Sequence, residues 1–341
     1  MNKCAVDLRF SSNLSGIGRD SRHFNQSLRV LFPEIKELSF PISAIKNLGF
    51  PDKVWLKSQF GKSVKVDTSG IDVLFQSHLW NLEPSESTKR IIRIHDIFPL
   101  TNPEWFRRTS VRSYKHAFSL IKEKDLLLAD SMFTANEIMK LGLNLDIEVL
   151  NCKFPVQEDY ACPGCTSCID GILPEKYFLC VNTLEPRKNY ELLLEAWTKS
   201  SYYDSTLKLL IIGRKGWKYR NILRKIRSIK NVLWIENACD GLLGQAYRNA
   251  DFVINPSLAE GFNYPTLEAK VFERRCFASD IPINKELNAD IPKFNPYRID
   301  KITEVINLGF AESKSSYVKI EADTGLFHHN LKCILSKHSI N

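Results

Sequence analysis

Two glutamates stand eight positions apart in NPSLAEGFNYPTLEA, residues 255–269, around a turn and a proline. A predicted strand ends just before them, and Pro265 suits the first turn of a helix, where its missing N–H costs no hydrogen bond. The loop then brings its backbone amides to a helix N-terminus, a geometry that binds anions. Glu260 and Glu268 can accept hydrogen bonds from ribose or sugar hydroxyls there. The alternative is that Glu268 only complements the helix dipole and that Glu260 is solvated.

Two adjacent cations stand in a second stretch, LEPRKNYELL at 184–193, which again follows a predicted strand and opens a predicted helix. Arg187 and Lys188 lie beside Asn189, a residue type that caps helix N-termini. Cations at this end oppose the helix dipole, so the arrangement makes more sense with a diphosphate between them. The alternative is an exposed basic turn.

A histidine ends the apolar stretch RIIRIHD at 90–96, which predicts a buried strand. At the carboxyl end of such a strand, His95 can bond a substrate hydroxyl or transfer a proton. The alternative is a purely structural histidine.

Glycines open a fourth stretch, SGIGRDS at 15–21, which nearly matches the dinucleotide-binding fingerprint G-x-G-x-x-G. Ser21 replaces the third glycine, and no acidic residue closes a second strand about twenty positions on. A nicotinamide site is therefore disfavoured, and Gly16 and Gly18 are interpreted as letting the backbone approach a ligand.

Four of the nine cysteines cluster near the middle of the chain: Cys152, Cys162, Cys165 and Cys168. The C-x-x-C-x-x-C spacing can present several thiolates to zinc, or to an iron–sulfur cluster with Cys152 as the fourth ligand. Strong zinc patterns pair one C-x-x-C with a second, distant pair, which is absent here. Reduced, unliganded thiols are therefore the favoured interpretation, with a structural zinc or an iron–sulfur cluster as the alternatives.

Length and charge indicate two domains and anionic partners. The 341 residues suffice for two domains, and the net charge of +8 suits nucleotide phosphates or an acidic membrane surface without implying nucleic acid. The basic run at 214–230 predicts either a solvated helix face or a contact with anionic lipid headgroups. Charges at Lys3, Asp7 and Arg9 argue against a signal peptide. We therefore expect a cytoplasmic protein, peripheral on the inner face of the membrane if that contact forms.

Strands alternate with helices in both halves of the chain, which predicts parallel sheets with helices on both faces. The periodicity stops near 152–175, where the cysteines and three prolines collect. The predicted fold class is α/β, with two doubly wound Rossmann-like domains facing across a cleft. Ligands of such sheets bind beyond the carboxyl ends of the strands. The predicted strands lie at 4–10, 71–77, 90–96, 125–130, 176–183, 206–213, 231–237 and 251–257. Helices are predicted near 19–32 and at 103–124, and Ser131 is the predicted N-cap of a third.

Taken together and in this order, these stretches resemble the retaining glycosyltransferases of family four, which have the GT-B fold. The similar segments are SGIGR, IHDIFPLTNPEWF, TLEPRKN, AEGFNYPTLEA, ASDIP and FNPYRID. The resemblance implies an acceptor-binding domain at 1–155, a cysteine-containing linker at 156–175 and a donor-binding domain at 176–310. A helical segment at 311–341 is expected to pack back toward the first domain.

The resemblance also implies a role for each matching residue. Arg187 and Lys188 would hold the donor diphosphate, and Glu268 would bind the nucleotide ribose. Glu260 would lie near the transferred sugar, with the amides of three loop residues near its hydroxyls: Gly261, Phe262 and Asn263. Catalysis would then depend on His95, Glu260 and Lys188.

Gly16, Gly18 and Arg19 would lie close to the phosphates and the acceptor. No metal is expected, because the cations and the helix dipole would neutralise the diphosphate. The implied activity is transfer of a hexose, with mannose from GDP-mannose favoured, to a glycan or lipid-linked glycan of a surface polysaccharide such as O-antigen or capsule.

Three departures from the family pattern keep other functions open. Asn182 and Asn263 each stand at a usual glycine, and ERRC at 273–276 replaces a segment with glycine and proline. These changes suit a non-catalytic donor-binding subunit, and the same fold also serves sugar-nucleotide epimerases and hydrolases. An interaction module with a cysteine-bound metal is a further alternative.

Overall fold

The chain folds into two compact units, one containing Met1–Lys153 and Thr324–Asn341 and the other containing Phe154–Asp323. The computed structural model describes residues 2–10, 16–38, 62–153, 155–161, 171–311 and 325–340. Within these ranges no helix is long and apolar enough to cross a membrane.

A parallel sheet forms the centre of the first unit. Its strands are β1 (Cys4–Asp7), β2 (Lys36–Leu38), β4 (Val73–Gln76), β6 (Lys89–Ile94), β7 (Leu126–Ala129) and β8 (Asp146–Val149), in the order β2-β1-β4-β6-β7-β8. A small parallel pair joins β3 (Val64–Lys65) to β5 (Leu82–Glu83). The described helices are Gly16–Leu31, Phe98–Thr101, Arg108–Ser119, Met132–Met139 and Leu326–Lys337.

Alternate residues along these strands enter different hydrophobic clusters, because successive strand side chains point to opposite faces. Leu126 and Leu128 pack on one face, and Leu127 and Ala129 on the other. The C-terminal helix Leu326–Lys337 completes the first of these clusters.

The second unit is also built on a six-stranded parallel sheet. Its strands are β9 (Tyr177–Val181), β10 (Lys208–Ile212), β11 (Val232–Ile235), β12 (Phe252–Asn255), β13 (Cys276–Ser279) and β14 (Lys293–Phe294), in the order β11-β10-β9-β12-β13-β14. Its described helices are Tyr190–Lys199, Tyr219–Ser228, Asp240–Asn249, Tyr264–Val271, Pro282–Leu287 and Ile299–Ala311.

Both faces of this second sheet are covered. Phe178 and Cys180 of β9 pack in one buried cluster, whereas Tyr177 and Leu179 pack in another. The strand order reverses between β9 and β12, so the two carboxyl ends lie side by side at a topological switch point, where ligands of open α/β sheets bind.

Several predicted boundaries differ from the structure. The helical stretch expected at 103–124 is a short 3-10 turn, Pro103–Trp105, followed by Arg108–Ser119, because Phe106 between them is extended. The predicted N-cap Ser131 is confirmed, since its side chain accepts a hydrogen bond from the Thr134 amide. Strands β2, β8, β13 and β14 were not predicted. β2, β8 and β14 are short edge strands, each paired on one side only, so their sequences lack a long buried apolar run.

Candidate active site

One buried carboxylate gathers the two adjacent cations of the second unit. Lys188 Nζ lies 2.5 Å from Glu260 Oε1, and Arg187 Nη1 lies 3.1 Å from Glu260 Oε2. Arg187 also donates to Glu185 Oε1 at 2.9 Å and to the Ala259 carbonyl at 2.7 Å. Glu260 is 7% exposed and Lys188 8%. The alternatives of a solvated glutamate and an exposed basic turn are therefore both wrong.

The switch point of the second sheet brings these residues together. Lys188 ends the 3-10 turn Pro186–Lys188, which follows β9, and Glu260 stands in the loop that follows β12. Asn189 takes the N-cap position in the left-handed conformation, with φ of 57° and no side-chain cap bond. Its amide donates instead to the Pro296 carbonyl at 2.7 Å. Asn189 therefore occupies the expected N-cap position, but its side chain makes a tertiary contact and does not cap the helix.

The cluster is electrostatically balanced, with two cations facing the carboxylates of Glu260 and Glu185. Burial by itself would raise the pKa of Glu260, but the charges of Lys188 and then Arg187 outweigh it and lower that pKa. Glu260 is therefore ionised at neutral pH and fixes both cations in place. Cations held this way lose little side-chain freedom when an anion binds to them.

Glu268 is buried at a separate position on the helix Tyr264–Val271, with 4% exposure. Tyr160 Oη donates to Glu268 Oε1 at 2.7 Å, and Tyr247 Oη donates to Glu268 Oε2 at 2.6 Å. The interpretation of Glu268 as a surface partner of the helix dipole is therefore wrong. Neither tyrosine was identified from the sequence, since no motif or spacing connects them to the glutamate.

A relay of buried asparagines supports the loop that contains Gly261, Phe262 and Asn263. Asn255 Nδ2 donates to Asn263 Oδ1 at 2.9 Å, and Asn263 Nδ2 donates to Asn284 Oδ1 at 2.7 Å. Asn263 has φ of 66° and 3% exposure, and Phe262 is 5% exposed. The relay was not predicted from the sequence. The position of these three asparagines at or near the ends of strands and helices could have indicated it.

The departures from the family pattern preserve backbone conformation at two positions. Asn263 and Glu273 both have positive φ, at 66° and 54°, and positive φ is what glycine provides without strain. Asn263 suits this conformation because asparagine tolerates it better than most residues. Asn182 differs: its φ is not positive, and its buried Nδ2 has no hydrogen-bond partner among the described residues.

His95 lies in the first unit, directly after β6, with both ring nitrogens hydrogen-bonded. Nδ1 lies 2.5 Å from Asp130 Oδ2, and Nε2 lies 3.2 Å from the Ser77 carbonyl. Burial would lower the pKa of His95, but the Asp130 carboxylate and its hydrogen bond raise it. His78 stacks on His95 with ring centroids 5.2 Å apart. The protonated ring donates from both nitrogens, so this arrangement suits a charged donor better than a general base.

The His95 pocket continues into a buried ion-pair network that the sequence did not reveal. Arg93 Nη2 lies 3.0 Å from Asp20 Oδ1 and 2.8 Å from Asp130 Oδ1, and Cys152 Sγ donates to Asp130 Oδ2 at 3.0 Å. A charged residue inside the apolar run RIIRIHD was the available signal, because buried arginine requires a paired carboxylate.

Asp20, His95, Asp130 and Cys152 are metal-ligand types, with ligand atoms within 4.8 Å of one another. The Arg93 guanidinium already pairs with both carboxylates and would repel a divalent cation, so these residues fit an ion-pair network better than a metal centre. Among the described residues, Cys152 bonds Asp130 and Arg93 of the first unit. Its predicted partners Cys162, Cys165 and Cys168 lie outside the described residues.

Gly16, Gly18 and Arg19 form the first turn of the helix Gly16–Leu31 instead of a glycine loop ahead of it. The sequence placed the helix start later because glycine disfavours helix interiors. The ion pair of Asp20 with Arg93 offsets that preference by fixing the first turn. Arg19 is 7% exposed.

Comparison with known proteins bears on the second unit. Residues 171–313 match the family model described as Glycosyl transferases group 1. Serotype-specific mannosyltransferase WbdA of Escherichia coli is 26% identical over 220 residues, which cover 57% of this chain and 26% of that protein. O-antigen chain mannosyltransferase B of Escherichia coli is 26% identical over 201 residues, which cover 54% of this chain and 51% of that protein. The chain thus spans about a quarter to a half of these curated relatives.

Among solved structures, Anabaena HepE in complex with UDP and glucose aligns with 99% of this chain and 100% of its own, at a TM-score of 0.68 and 14% identity. The likeness concerns the fold, and it confirms the predicted fold class of two parallel α/β units. Residues 171–313 of the second unit thus match the Glycosyl transferases group 1 model, and the fold of the chain is similar to that of GT-B glycosyltransferases.

Proposed function

We propose that this chain is a retaining glycosyltransferase that moves a hexose from a nucleotide sugar to a glycan or lipid-linked glycan. One observation carries the proposal: Arg187, Lys188 and Glu260 meet in a buried cluster at the switch point of the sheet in the matched domain. A pair of fixed cations at the carboxyl ends of parallel strands suits a diphosphate.

In the proposed reaction the bond between the anomeric carbon and the diphosphate oxygen breaks. A bond from the acceptor hydroxyl oxygen to that carbon forms on the same face, and the hydroxyl proton passes to the departing diphosphate. Lys188 and Arg187 would stabilise the negative charge that develops on this leaving group. Ionised Glu260 would hold both cations in place and contribute fixed charge near the sugar. No enzyme nucleophile is invoked.

The names of the relatives suggest the substrate class. WbdA and O-antigen chain mannosyltransferase B are named as mannosyltransferases, the second of O-antigen chains. We therefore place this chain in surface polysaccharide synthesis, with GDP-mannose as the first donor to test. The alternative of a non-catalytic donor-binding subunit loses support, because Asn263 and Glu273 keep the positive φ that glycine would provide at these positions.

Binding of nucleotide sugars tests the proposal first. We expect GDP-mannose, or another nucleotide sugar from a panel with UDP-glucose, to raise the melting temperature, because a ligand that binds only the folded state stabilises it by about 2.7 kcal/mol at a hundredfold excess over Kd. Lys188→Ala and Glu268→Ala should both abolish the shift. If both variants retain transfer, the assigned site is wrong.

The product distinguishes the proposed reaction from its alternatives. Transfer to a lipid-linked acceptor with the α configuration of the donor, read by NMR, would support the retaining enzyme. A changed sugar nucleotide or free hexose formed without acceptor would support an epimerase or hydrolase. Donor binding without turnover in the presence of cell glycolipid would support the non-catalytic subunit.

An anionic membrane surface is proposed as a further partner. The helix Tyr219–Ser228 buries three apolar side chains and exposes a basic face formed by Arg220, Arg224, Lys225 and Arg227. Each cation near an anionic bilayer contributes roughly 1 kcal/mol. Arg220→Glu with Arg224→Glu should release the protein from phosphatidylserine vesicles in a sedimentation assay. Unchanged sedimentation would refute this contact.

A further inference from the structure

Two tyrosines enclose the Glu268 carboxylate, one bonded to each oxygen. Tyr160 Oη lies 2.7 Å from Oε1, and Tyr247 Oη lies 2.6 Å from Oε2. Tyr160 is 3% exposed and Tyr247 is fully buried. The two phenols come from different elements, the 3-10 turn Gln157–Tyr160 and the helix Asp240–Asn249.

Packing fixes both phenol rings. The Tyr160 ring meets the Phe272 ring edge to face at 5.1 Å, and the Tyr247 ring stacks on Phe272 at 5.6 Å with an interplanar angle of 6°. Helix Asp240–Asn249 presents Gly244 to Tyr160, and a Cβ at Gly244 would lie 2.9 Å from the Tyr160 Cβ. The helix therefore approaches this closely only because the residue is glycine.

The Tyr247 phenol is a durable hydrogen-bond donor. Burial, and then the Glu268 charge, raises the pKa of Tyr247 well above its usual value, so the hydroxyl keeps its proton throughout the physiological range. Two donors on different oxygens define the plane and rotation of a carboxylate. A carboxylate accepts about four hydrogen bonds, so bonding to two phenols is compatible with bonding to a vicinal diol.

We infer that Tyr160 and Tyr247 are positioning residues that orient the Glu268 carboxylate for the ribose diol of the donor nucleotide. The inference rests on the proposed function and on the ribose-binding role that the family resemblance implies for Glu268. It makes the segment just before the cysteine-containing stretch part of the donor site.

The experiment compares a ribonucleotide with its analogue that lacks the diol. Binding of GDP and of 2′,3′-dideoxy-GDP is measured by calorimetry on the full chain, with UDP and 2′,3′-dideoxy-UDP in parallel. Tyr160→Phe and Tyr247→Phe each remove one oxygen atom and keep the ring. We expect each variant to weaken ribonucleotide binding about threefold to tenfold, the range for one hydrogen bond, and to leave the dideoxy analogue within about twofold.

Tyr177→Phe is the matched control. Tyr177 is a buried tyrosine of the same unit, but its hydroxyl donates to the Ala246 carbonyl at 2.8 Å, one residue before Tyr247. This variant should lower the melting temperature, because it loses a buried hydrogen bond. It should not change the preference for the ribonucleotide over the dideoxy analogue. Equal weakening of both nucleotides by Tyr160→Phe and Tyr247→Phe would show a merely structural role and overturn the inference, as would no change in either.

The wild-type protein separates failure of the inference from failure of the proposed function. Absence of any GDP or UDP binding would reject the proposed function itself. Equal binding of the ribonucleotide and the dideoxy analogue would leave that function standing but reject the assignment of Glu268 to the diol, and with it the role of the two tyrosines.

Discussion

At the scale of single residues, the candidate site depends on buried charges that are paired. Lys188 and Glu260 are each less than a tenth exposed, and each is the shortest ionic contact of the other. Removing one member of such a pair leaves an uncompensated charge in a poorly solvated place, whereas removing both does not. The side chains that would bind the donor are therefore also sources of stability.

Lys188→Met is expected to lower the free energy of unfolding by about 3 kcal/mol at pH 7, because Glu260 loses its nearest cation. Lys188→Met combined with Glu260→Gln should cost less than the sum of the two single changes. Urea denaturation of the four proteins gives this double-mutant cycle. Strict additivity would show that the pair is not coupled.

The same pair has a defined pH dependence. The pKa of Glu260 is lowered in the folded state, so its contribution is present above the unfolded value of 4.5 and is lost as the pH falls through the folded value. The stability difference between the wild type and Lys188→Met should therefore shrink as the pH falls below 4.5.

The contribution of His95 to stability has the opposite pH dependence to that of Glu260. Its pKa is raised above 6.5, so its contribution is complete below 6.5 and disappears as the pH rises through the higher folded value. Asp130, Asp20 and Arg93 are the charged groups that face it, and His78 stacks on it as a neutral ring, since burial and then His95 lower the pKa of His78 to about 3.

His95→Gln keeps an N–H donor but cannot be protonated, so its effect on stability measures the contribution of the His95 charge. We expect it to cost about 2 kcal/mol at pH 6, as for a lost hydrogen bond to a charged group, and progressively less at higher pH. Chemical denaturation at a series of pH values measures both. A cost that is the same at pH 6 and pH 9 would contradict a charged His95.

At the scale of elements, the junction of β12 with the helix Tyr264–Val271 is held by side-chain amides. Asn263 occupies a left-handed position that ends the loop, and its amide connects Asn255 at the end of β12 to Asn284 on the helix Pro282–Leu287. The loop that contains Glu260 is therefore fixed by three elements: β12, the helix Tyr264–Val271 and the helix Pro282–Leu287.

Substitution of Asn263 should separate backbone conformation from the amide relay. Asn263→Gly tolerates the positive φ but removes one hydrogen bond from each of the buried amides of Asn255 and Asn284, at a cost of about 2 kcal/mol. Asn263→Ala loses the same bonds and adds about 1 kcal/mol of backbone strain. Thermal denaturation ranks the three proteins. Equal stability of the wild type and Asn263→Gly would show that the relay contributes nothing.

At the scale of the whole molecule, the first unit is assembled from both ends of the sequence. Leu331 on the helix Leu326–Lys337 is fully buried in the same cluster as Val6 on β1 and Phe24. The second unit is continuous in sequence. The hydrophobic core of the first unit therefore depends on residues that follow the entire second unit in the chain.

Leu331→Ala should destabilise the first unit by about 2–5 kcal/mol, the range for a buried leucine. Hydrogen exchange is expected to accelerate in β1 and β4 while the amides of β9 and β10 keep their protection. Leu193→Ala, a fully buried leucine of the second unit, is the matched control with the reverse pattern. Faster exchange in β9 for Leu331→Ala alone would contradict this division.

Local sequence determined much of the architecture. Apolar residues recur every two residues in strands and about every 3.6 residues in helices, and these periodicities are short-range properties of the sequence. The alternation therefore predicted two parallel sheets, and the rule that ligands bind at strand ends selected the stretches at 94–106, 184–193 and 255–269. Pro265 in the first turn of its helix and the Ser131 cap were readable for the same reason.

Only the tertiary structure decided which groups face one another. Lys188 and Glu260 are 72 positions apart, and Tyr160 and Glu268 are 108 apart. No periodicity extends over such distances, because these contacts arise from strand order and helix packing. Cys152 shows the consequence: its thiol bonds Asp130 and Arg93, two partners that no spacing in the sequence connects to it. Sequence alone thus identified the strand ends, and packing determined the bonds made there.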